Sequence, residues 1–213
     1  MSSNLTVSAR YNRSMILKSL SELANDVLRS NRTDLPNYQV LDKNLGVTGH
    51  CYIDEVYETL FAPYRLSTKK VLEIGVHNGG SMLLWQSYFP NAKIQGLDNT
   101  LSLFFWKQHD RIQLKKCDAY TTETVNELDN GYDIIIDDGP HTLDSMRFFI
   151  KHYLLKLNIN GIAVIEDIPD SAWIKTLLDD LSPNGMRTRI QVFDLRNINM
   201  RYDDMVLVIQ KIG

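Results

Sequence analysis

Two acid-tipped apolar runs hold the residues best suited to chemistry: Tyr132-Asp-Ile-Ile-Ile-Asp137-Asp138-Gly-Pro-His141 and Gly161-Ile-Ala-Val-Ile-Glu166-Asp167. Short runs rich in Ile and Val, bounded by turn residues, read as strands buried on both faces. The carboxyl ends of such strands are where open α/β sheets place ligands, so Asp137, Asp138 and His141 are expected to meet Glu166 and Asp167 at one edge. Carboxylates gathered that closely repel one another, and a hard divalent cation or an unusual protonation pattern resolves the conflict. The imidazole that follows Asp138 then sits beside the ion, not necessarily on it. Asp137 is assigned to structure, because neighbouring strand residues face opposite ways and only one points easily at an ion.

A second constellation lies upstream. Val71-Leu-Glu73-Ile74 reads as a strand, and Gly75-Val-His77-Asn78-Gly79-Gly80-Ser81 as a turn into a helix. Glycine lets backbone approach a ligand, and a helix start presents unpaired N–H groups to negative charge. A dinucleotide site would want Gly-x-Gly-x-x-Gly, and His77 stands at the middle glycine, which counts against hydride transfer. Glu73 instead suits a ligand carrying an amine as well as a carboxylate, as S-adenosylmethionine does. Asp98, ending the next strand, is placed to accept hydrogen bonds from two ribose hydroxyls. Asp118, after the third, is placed to accept one from an adenine amine.

The elements that must position these residues alternate from Lys70 onward. Strands are expected at Lys93 to Leu97, Arg111 to Cys117 and Tyr132 to Asp137, followed by a helix near Thr142 whose apolar face runs Leu143, Met146, Ile150, Tyr153 and Leu157. Asn158 to Gly161 turns the chain into a fifth strand. A helix follows at Ala172 to Leu181, then strands at Arg189 to Leu195 and Met205 to Ile212, whose helix-free connection predicts an antiparallel pair. A segment with Leu101, Phe104, Phe105 and Trp106 is expected to be helical. Upstream, Ser14 to Ser30 has one apolar helical face, suited to packing on the domain or on a second copy. Thr33 to Gly49 reads as a long loop, and Tyr52 to Ala62 as a helix stopped by Pro63. Trp85, Trp106 and Trp173 are expected in the core or at its rim, His109 and His152 at the surface, and Arg147 with Lys151 on a solvated face.

The chain has 213 residues, 44% of them hydrophobic, with a formal charge of -3, enough for one α/β domain and a modest extension. The acidic balance, without a run of Lys or Arg, argues against a nucleic-acid surface. No apolar run approaches the ~20 residues of a membrane span, and no signal-peptide pattern opens the chain, which predicts a soluble cytoplasmic protein. Cys51 and Cys117 lack Cys-x-x-Cys spacing and are expected as reduced thiols.

Glu73-Ile-Gly75, Asp98, Cys117-Asp118-Ala119 and the strand order resemble the class I S-adenosylmethionine-dependent methyltransferases. More narrowly, Asp137-Asp-Gly-Pro-His141 with Glu166-Asp167 resembles the metal-dependent O-methyltransferases of macrolide deoxysugars, a group that also takes in proteins described as cephalosporin hydroxylases. Asp42-Lys43, His50 and Tyr52 resemble that group's segment preceding the domain, which covers the active site. Pro140, where Ser is usual, stiffens the loop that aims His141.

The resemblance implies an α/β Rossmann-like sandwich: a mostly parallel seven-stranded sheet with an antiparallel last strand over residues 66–213, and an N-terminal helical extension and lid over residues 1–65. It implies S-adenosyl-L-methionine held by Glu73, Gly75, Asn78, Gly79, Ser81, Asp98, Asn99, Asp118 and Ala119. Asp138, Glu166 and Asp167 would bind Mg2+ or Mn2+, His141 would be the general base, and His50 and Tyr52 would line the acceptor pocket. The acceptor would be a vicinal diol on a sugar, such as the 6-deoxyhexose rhamnose. A catechol uses the same metal logic, and a non-catalytic S-adenosylmethionine-fold module assembling through residues 1 to 62 is the alternative from another class. A hydroxylase is disfavoured, because the motif contains no set of two His and one carboxylate.

Overall fold

A computed structural model describes residues 17–30, 41, 43, 52–101, 110–181 and 185–213. The segment holding Phe104, Phe105, Trp106 and His109, most of the Thr33–Gly49 loop, and the residues His50 and Cys51 lie outside the described residues. Seven strands form one sheet: β1 (Lys70–Ile74), β2 (Lys93–Asp98), β3 (Ile112–Lys116), β4 (Tyr132–Asp137), β5 (Leu157–Ile165), β6 (Thr188–Asp194) and β7 (Met205–Lys211). Their order is β3-β2-β1-β4-β5-β7-β6. β7 runs antiparallel to both β5 and β6, and the pairings from β3 across to β5 are parallel. The expected seven-stranded sheet with an antiparallel last strand is therefore present. The chain winds outward from β1 to β3 and returns to pair β4 with β1, so the crevice between the carboxyl ends of β1 and β4 is the switch point.

The period of two along each strand sorts the core into two layers. Ile134 and Ile136 of β4 face a layer with Val71, Ile94, Val164 and Val206, while Ile135 faces the opposite layer with Leu72, Ala163 and Leu207. The first layer is closed by α1 (Leu20–Ser30), by α2 (residues 53–64) and by α3 (Gly80–Tyr88). In α2, a π turn at Ile53–Tyr57 runs into α-helix at Glu58–Phe61 and a tight 3-10 turn at Ala62–Tyr64. The second layer is closed by α4 (Thr122–Glu127), α5 (Leu143–His152) and α6 (Ser171–Leu181). A short α7 (Arg196–Asn199) precedes β7.

Four boundaries differ from expectation, each for a local reason. α1 begins at Leu20, not Ser14, because Ser19 and Glu22 form a reciprocal cap: Glu22 N–H donates to Ser19 Oγ at 3.1 Å and Ser19 N–H to Glu22 Oε2 at 2.7 Å. Leu20, Ala24 and Val27 of α1 are buried against the domain, so that apolar face is covered within the chain. Pro63 does not stop α2; it lies in the first turn of the closing 3-10 segment, where a missing N–H costs nothing. α5 starts beside Thr142 as expected, held there by a Thr142/Ser145 capping box, but ends at His152, leaving Leu157 to pair with Tyr132 in β5. Asn158 to Gly161 therefore lie within β5, where the register shifts opposite Tyr132 to Ile134 and Asn160 takes φ 67°. α4 had no expectation attached to it. Arg147 is not a solvated partner of Lys151 alone: its Nε donates to Asp180 Oδ2 at 2.7 Å, tying α5 to α6.

Candidate active site

The turn after β1 and the turn after β4 lie against each other, and glycine makes that approach possible. Gly75 takes φ +86°, and a Cβ there would lie 1.8 Å from the Asp138 carbonyl oxygen. Gly139 is equally confined, since a Cβ would lie 1.8 Å from the Tyr120 hydroxyl. Beside them opens a cavity of about 560 Å³, lined from four consecutive strand ends by Gly75 and His77, Asp98 and Asn99, Asp118 to Tyr120, and Asp138 to His141. That volume falls within the range of small-molecule and cofactor sites.

Five of the nine residues expected around a cofactor line this cavity: Gly75, Asp98, Asn99, Asp118 and Ala119. Asp98 also organises the turn, accepting from Val76 N–H at 2.7 Å and His77 N–H at 2.9 Å through Oδ2 and from Thr100 N–H at 2.7 Å through Oδ1. Asp118 Oδ1 accepts from Tyr120 N–H at 2.9 Å. Asn78, Gly79 and Ser81 do not line the cavity; Gly79, at φ 79°, caps α3. Glu73 lies behind the wall, fully buried, accepting from Trp85 Nε1 at 2.9 Å, with its other oxygen 3.3 Å from Lys43 Nζ. His77 holds the left-handed backbone that a glycine would ordinarily supply, at φ 47°.

The acids of β4 and β5 converge next to the cavity as the spacing predicts. His141 Nε2 is 3.5 Å from Asp167 Oδ2 and 3.8 Å from Asp138 Oδ1. Both His141 (φ 52°) and Asp167 (φ 53°) sit on left-handed backbone, which for non-glycine residues is a strained arrangement typical of functional sites. Asp137 is buried and accepts from the Tyr120 hydroxyl, consistent with its structural assignment.

Three side chains reach this cluster from the segment before the sheet. Lys43, 1% exposed, places Nζ 2.6 Å from Asp138 Oδ2 and 2.7 Å from Glu166 Oε2. The Tyr57 hydroxyl donates to Glu166 Oε1, and the Tyr52 hydroxyl donates to Asp167 Oδ1. Tyr52 is thus buried against an acid. Lys43, Tyr57 and Tyr120 were missed as site residues. The only advance signal was the Asp42-Lys43 pair, while both tyrosines occupy positions that read as apolar.

Three carboxyls, those of Glu73, Asp138 and Glu166, lie within 4 Å of one ammonium, with Asp167 close to Asp138, and the excess of negative charge shows in the proton affinities of the buried acids. Burial, reinforced by the Asp138 charge, pushes Asp167 up to about 7. Burial, opposed by Lys43, pushes Glu73 up to about 7 and Glu166 well above the usual carboxylate range. Asp137 is also pushed up to about 7, by burial partly offset by the Tyr120 hydrogen bond. Burial alone would lower Lys43, but Asp138, Glu166 and Glu73 hold it well above its ordinary value, so it is an ammonium ion.

The arrangement fits a divalent cation. Asp138, His141 and Asp167 each offer a ligand atom, all within 4.8 Å of one another. An oxygen-rich set with excess negative charge suits Mg2+ or Mn2+. Glu166 points instead toward Lys43 and Tyr57.

Among solved structures, the MycE methyltransferase from the mycinamycin biosynthetic pathway, determined with Mg, SAH and mycinamycin VI, superposes with a TM-score of 0.69 at 22% identity. The superposition covers 92% of this chain and 55% of that one. The chain has the class I methyltransferase fold. No family model matches it. In sequence it is similar to sugar O-methyltransferases. It is 32% identical over 127 residues to 8-demethyl-8-(2-methoxy-alpha-L-rhamnosyl)-tetracenomycin-C 3'-O-methyltransferase of Streptomyces olivaceus, across 53% of this chain and 31% of that protein. It is 31% identical over 130 residues to mycinamicin VI 2''-O-methyltransferase of Micromonospora griseorubida, across 55% and 31%. The match thus spans about a third of the length of these curated relatives. Among the described residues no helix is long and apolar enough to cross a membrane.

Proposed function

We propose that this chain is a metal-dependent O-methyltransferase, moving the methyl group of S-adenosyl-L-methionine to one hydroxyl of a vicinal diol on a sugar, a 6-deoxyhexose such as rhamnose. The observation that carries this reading is the His141 imidazole, 36% exposed, at the lip of the cavity and within 4 Å of Asp138 and Asp167. The resemblance to rhamnosyl and macrolide-sugar O-methyltransferases supports the acceptor class.

S-adenosylmethionine would supply an electrophilic methyl group, and a divalent ion held by Asp138, Asp167 and Glu166 would acidify a sugar hydroxyl. The remaining work falls to the chain itself. Asp98 and Asp118, at the ends of β2 and β3, would accept hydrogen bonds from the ribose and adenine of the cofactor. His141 takes the acceptor's proton as the oxygen attacks, and the neighbouring carboxylates stabilise the imidazolium formed. Asp167, fixed by the Tyr52 hydroxyl, orients the ring. The residues before β1 act as a lid, with Lys43, Tyr52 and Tyr57 closing over the acids and shielding them from water. Methyl ether and S-adenosylhomocysteine are the products.

The test is transfer of labelled methyl from S-adenosylmethionine to rhamnosides, other deoxyhexosides and catechols, each with Mg2+ and with chelator. Sugar-specific transfer abolished by chelator is the expected result. Transfer unaffected by chelator would remove the ion from the mechanism, and transfer to catechols alone would replace the acceptor.

A further inference from the structure

The proposed reaction gives His77 no task, although this residue is exposed and lines the cavity. Its left-handed backbone, φ 47°, is one that glycine adopts without strain, and its N–H donates to Asp98 Oδ2 at 2.9 Å. Glycine would keep that hydrogen bond and shed the strain, so the turn alone does not explain an imidazole there. The side chain is also fixed. His77 Nε2 lies 3.1 Å from Asn78 Nδ2. An amide nitrogen donates only, so Nε2 accepts and the ring N–H is on Nδ1. Meanwhile Asn78, Gly79 and Ser81 do not line the cavity, and the Gly79 N–H is spent on the Val76 carbonyl at 2.7 Å. The donors expected for a carboxylate at the start of α3 are thus not part of its wall.

We propose that His77 is a cofactor-binding residue whose Nδ1–H donates to the carboxylate on the amino-acid arm of S-adenosylmethionine. This rests on the methyltransferase reading above and assigns a partner to the one charged end of the cofactor that the reading leaves without a donor. The order of the cavity wall points to that arm. With adenine at the end of β3 and ribose at the end of β2, the turn after β1 is left for the arm beyond the sulfur. That turn also lies against Asp138, on the side of the cavity where the methyl group must leave. The charges of the wall make a donor necessary. Asp98, Asp118 and Asp138 line it, and no Lys or Arg is among the described residues that do. A carboxylate entering such a cavity is repelled unless an N–H meets it, and a hydrogen bond to an ionised acceptor is about twice as strong as a neutral one.

The experiment is calorimetric titration of two ligands into the wild-type chain, His77→Gly and His77→Asn. S-adenosylhomocysteine carries the amino-acid arm, and 5'-methylthioadenosine keeps the adenosine and thioether without it. Glycine suits the left-handed backbone and retains the N–H to Asp98, so the variant keeps its turn. His77→Gly should bind S-adenosylhomocysteine roughly 10- to 100-fold more weakly, the loss expected for a hydrogen bond to a charged group. Its affinity for 5'-methylthioadenosine should stay within a few-fold of wild type. His77→Asn also tolerates the backbone and places an amide donor where Nδ1 stood, so it should restore most of the lost affinity. Unchanged binding of S-adenosylhomocysteine by His77→Gly would overturn the proposal, as would an equal loss for both ligands. An asparagine variant as weak as the glycine variant would overturn the hydrogen bond and leave ring packing in its place. The functional reading fails differently. A wild type that binds both ligands, with His77→Gly unaltered, sinks the role of His77 alone, whereas a wild type that binds neither sinks the cofactor reading with it.

Discussion

His141 and Asp167 come from turns after different strands, yet both adopt left-handed backbone and bring Nε2 and Oδ2 to 3.5 Å. Asp and His tolerate that conformation better than most non-glycine residues, yet each such residue still costs on the order of 1–3 kcal/mol. The strain is held by neighbours that over-determine it: the Thr142/Ser145 cap follows His141, and the Tyr52 hydroxyl pins Asp167. His141→Ala should therefore lower turnover by roughly 10²–10⁴-fold, the usual contribution of a positioned base. Cofactor affinity, measured by calorimetry, should stay within a few-fold of wild type. A variant with near-normal turnover would take His141 out of the mechanism.

Gly75→Ala tests the contact between the turns after β1 and β4. At φ +86° the new methyl meets the Asp138 carbonyl at 1.8 Å, so backbone must shift rather than a side chain. The unfavourable φ alone costs about 1–3 kcal/mol, and displacing Asp138 should add to it. The expected outcome is a lower melting temperature together with weaker Mn2+ binding. Weakened stability with unchanged ion binding would show that the two turns move independently.

How much of this was legible in advance depends on whether the signal was local. The acids at the ends of β1, β2, β4 and β5 were readable because an apolar run that stops at a carboxylate is a one-dimensional pattern, and the switch-point rule then places those ends together. The start of α1 was placed too early, at Ser14, although Ser19-Leu-Ser-Glu22 has the pattern of a reciprocal cap. The apolar residues upstream extended the helical period past that cap, and the cap won because it satisfies orphan N–H groups. Lys43 was not readable as the cluster's counter-charge. The Asp42-Lys43 pair pointed to a segment over the active site, but not to an ammonium buried against Asp138 and Glu166, more than 90 residues away. Tyr57 and Tyr120 had the same difficulty in reverse. Their rings satisfy the apolar period of a helix or a cavity wall, and their hydroxyls matter only once a carboxylate faces them.

Tyr120→Phe keeps the ring and removes the donor to Asp137, leaving a buried carboxyl without one of its hydrogen bonds. Loss of one such partner costs roughly 1–3 kcal/mol. The melting temperature should fall, and the deficit should be larger at pH 8 than at pH 5, because the Tyr120 hydroxyl stabilises the charged form of Asp137. An equal deficit at both values would mean that Asp137 stays protonated throughout.

The proton affinities make a prediction for the whole chain in chelator. Glu73, Asp137 and Asp167 titrate near 7 when folded, against ordinary values of 4.5, 3.8 and 3.8. Between about pH 4 and pH 7 the folded chain therefore binds more protons than the unfolded chain, so stability falls as pH rises through that window and levels off above it. Mg2+ or Mn2+ changes the slope, because ligand carboxyls must be deprotonated before they can bind. At pH 5 the ion competes with protons already held by the cluster, whereas at pH 8 it neutralises charge that burial leaves uncompensated. The ion-induced rise in melting temperature should accordingly be several-fold larger at pH 8 than at pH 5. Denaturation scans with chelator and with saturating Mn2+ at both values decide it. Equal ion-induced shifts at the two pH values would mean that the ion binds elsewhere and that the cluster is balanced by Lys43 and by protons alone.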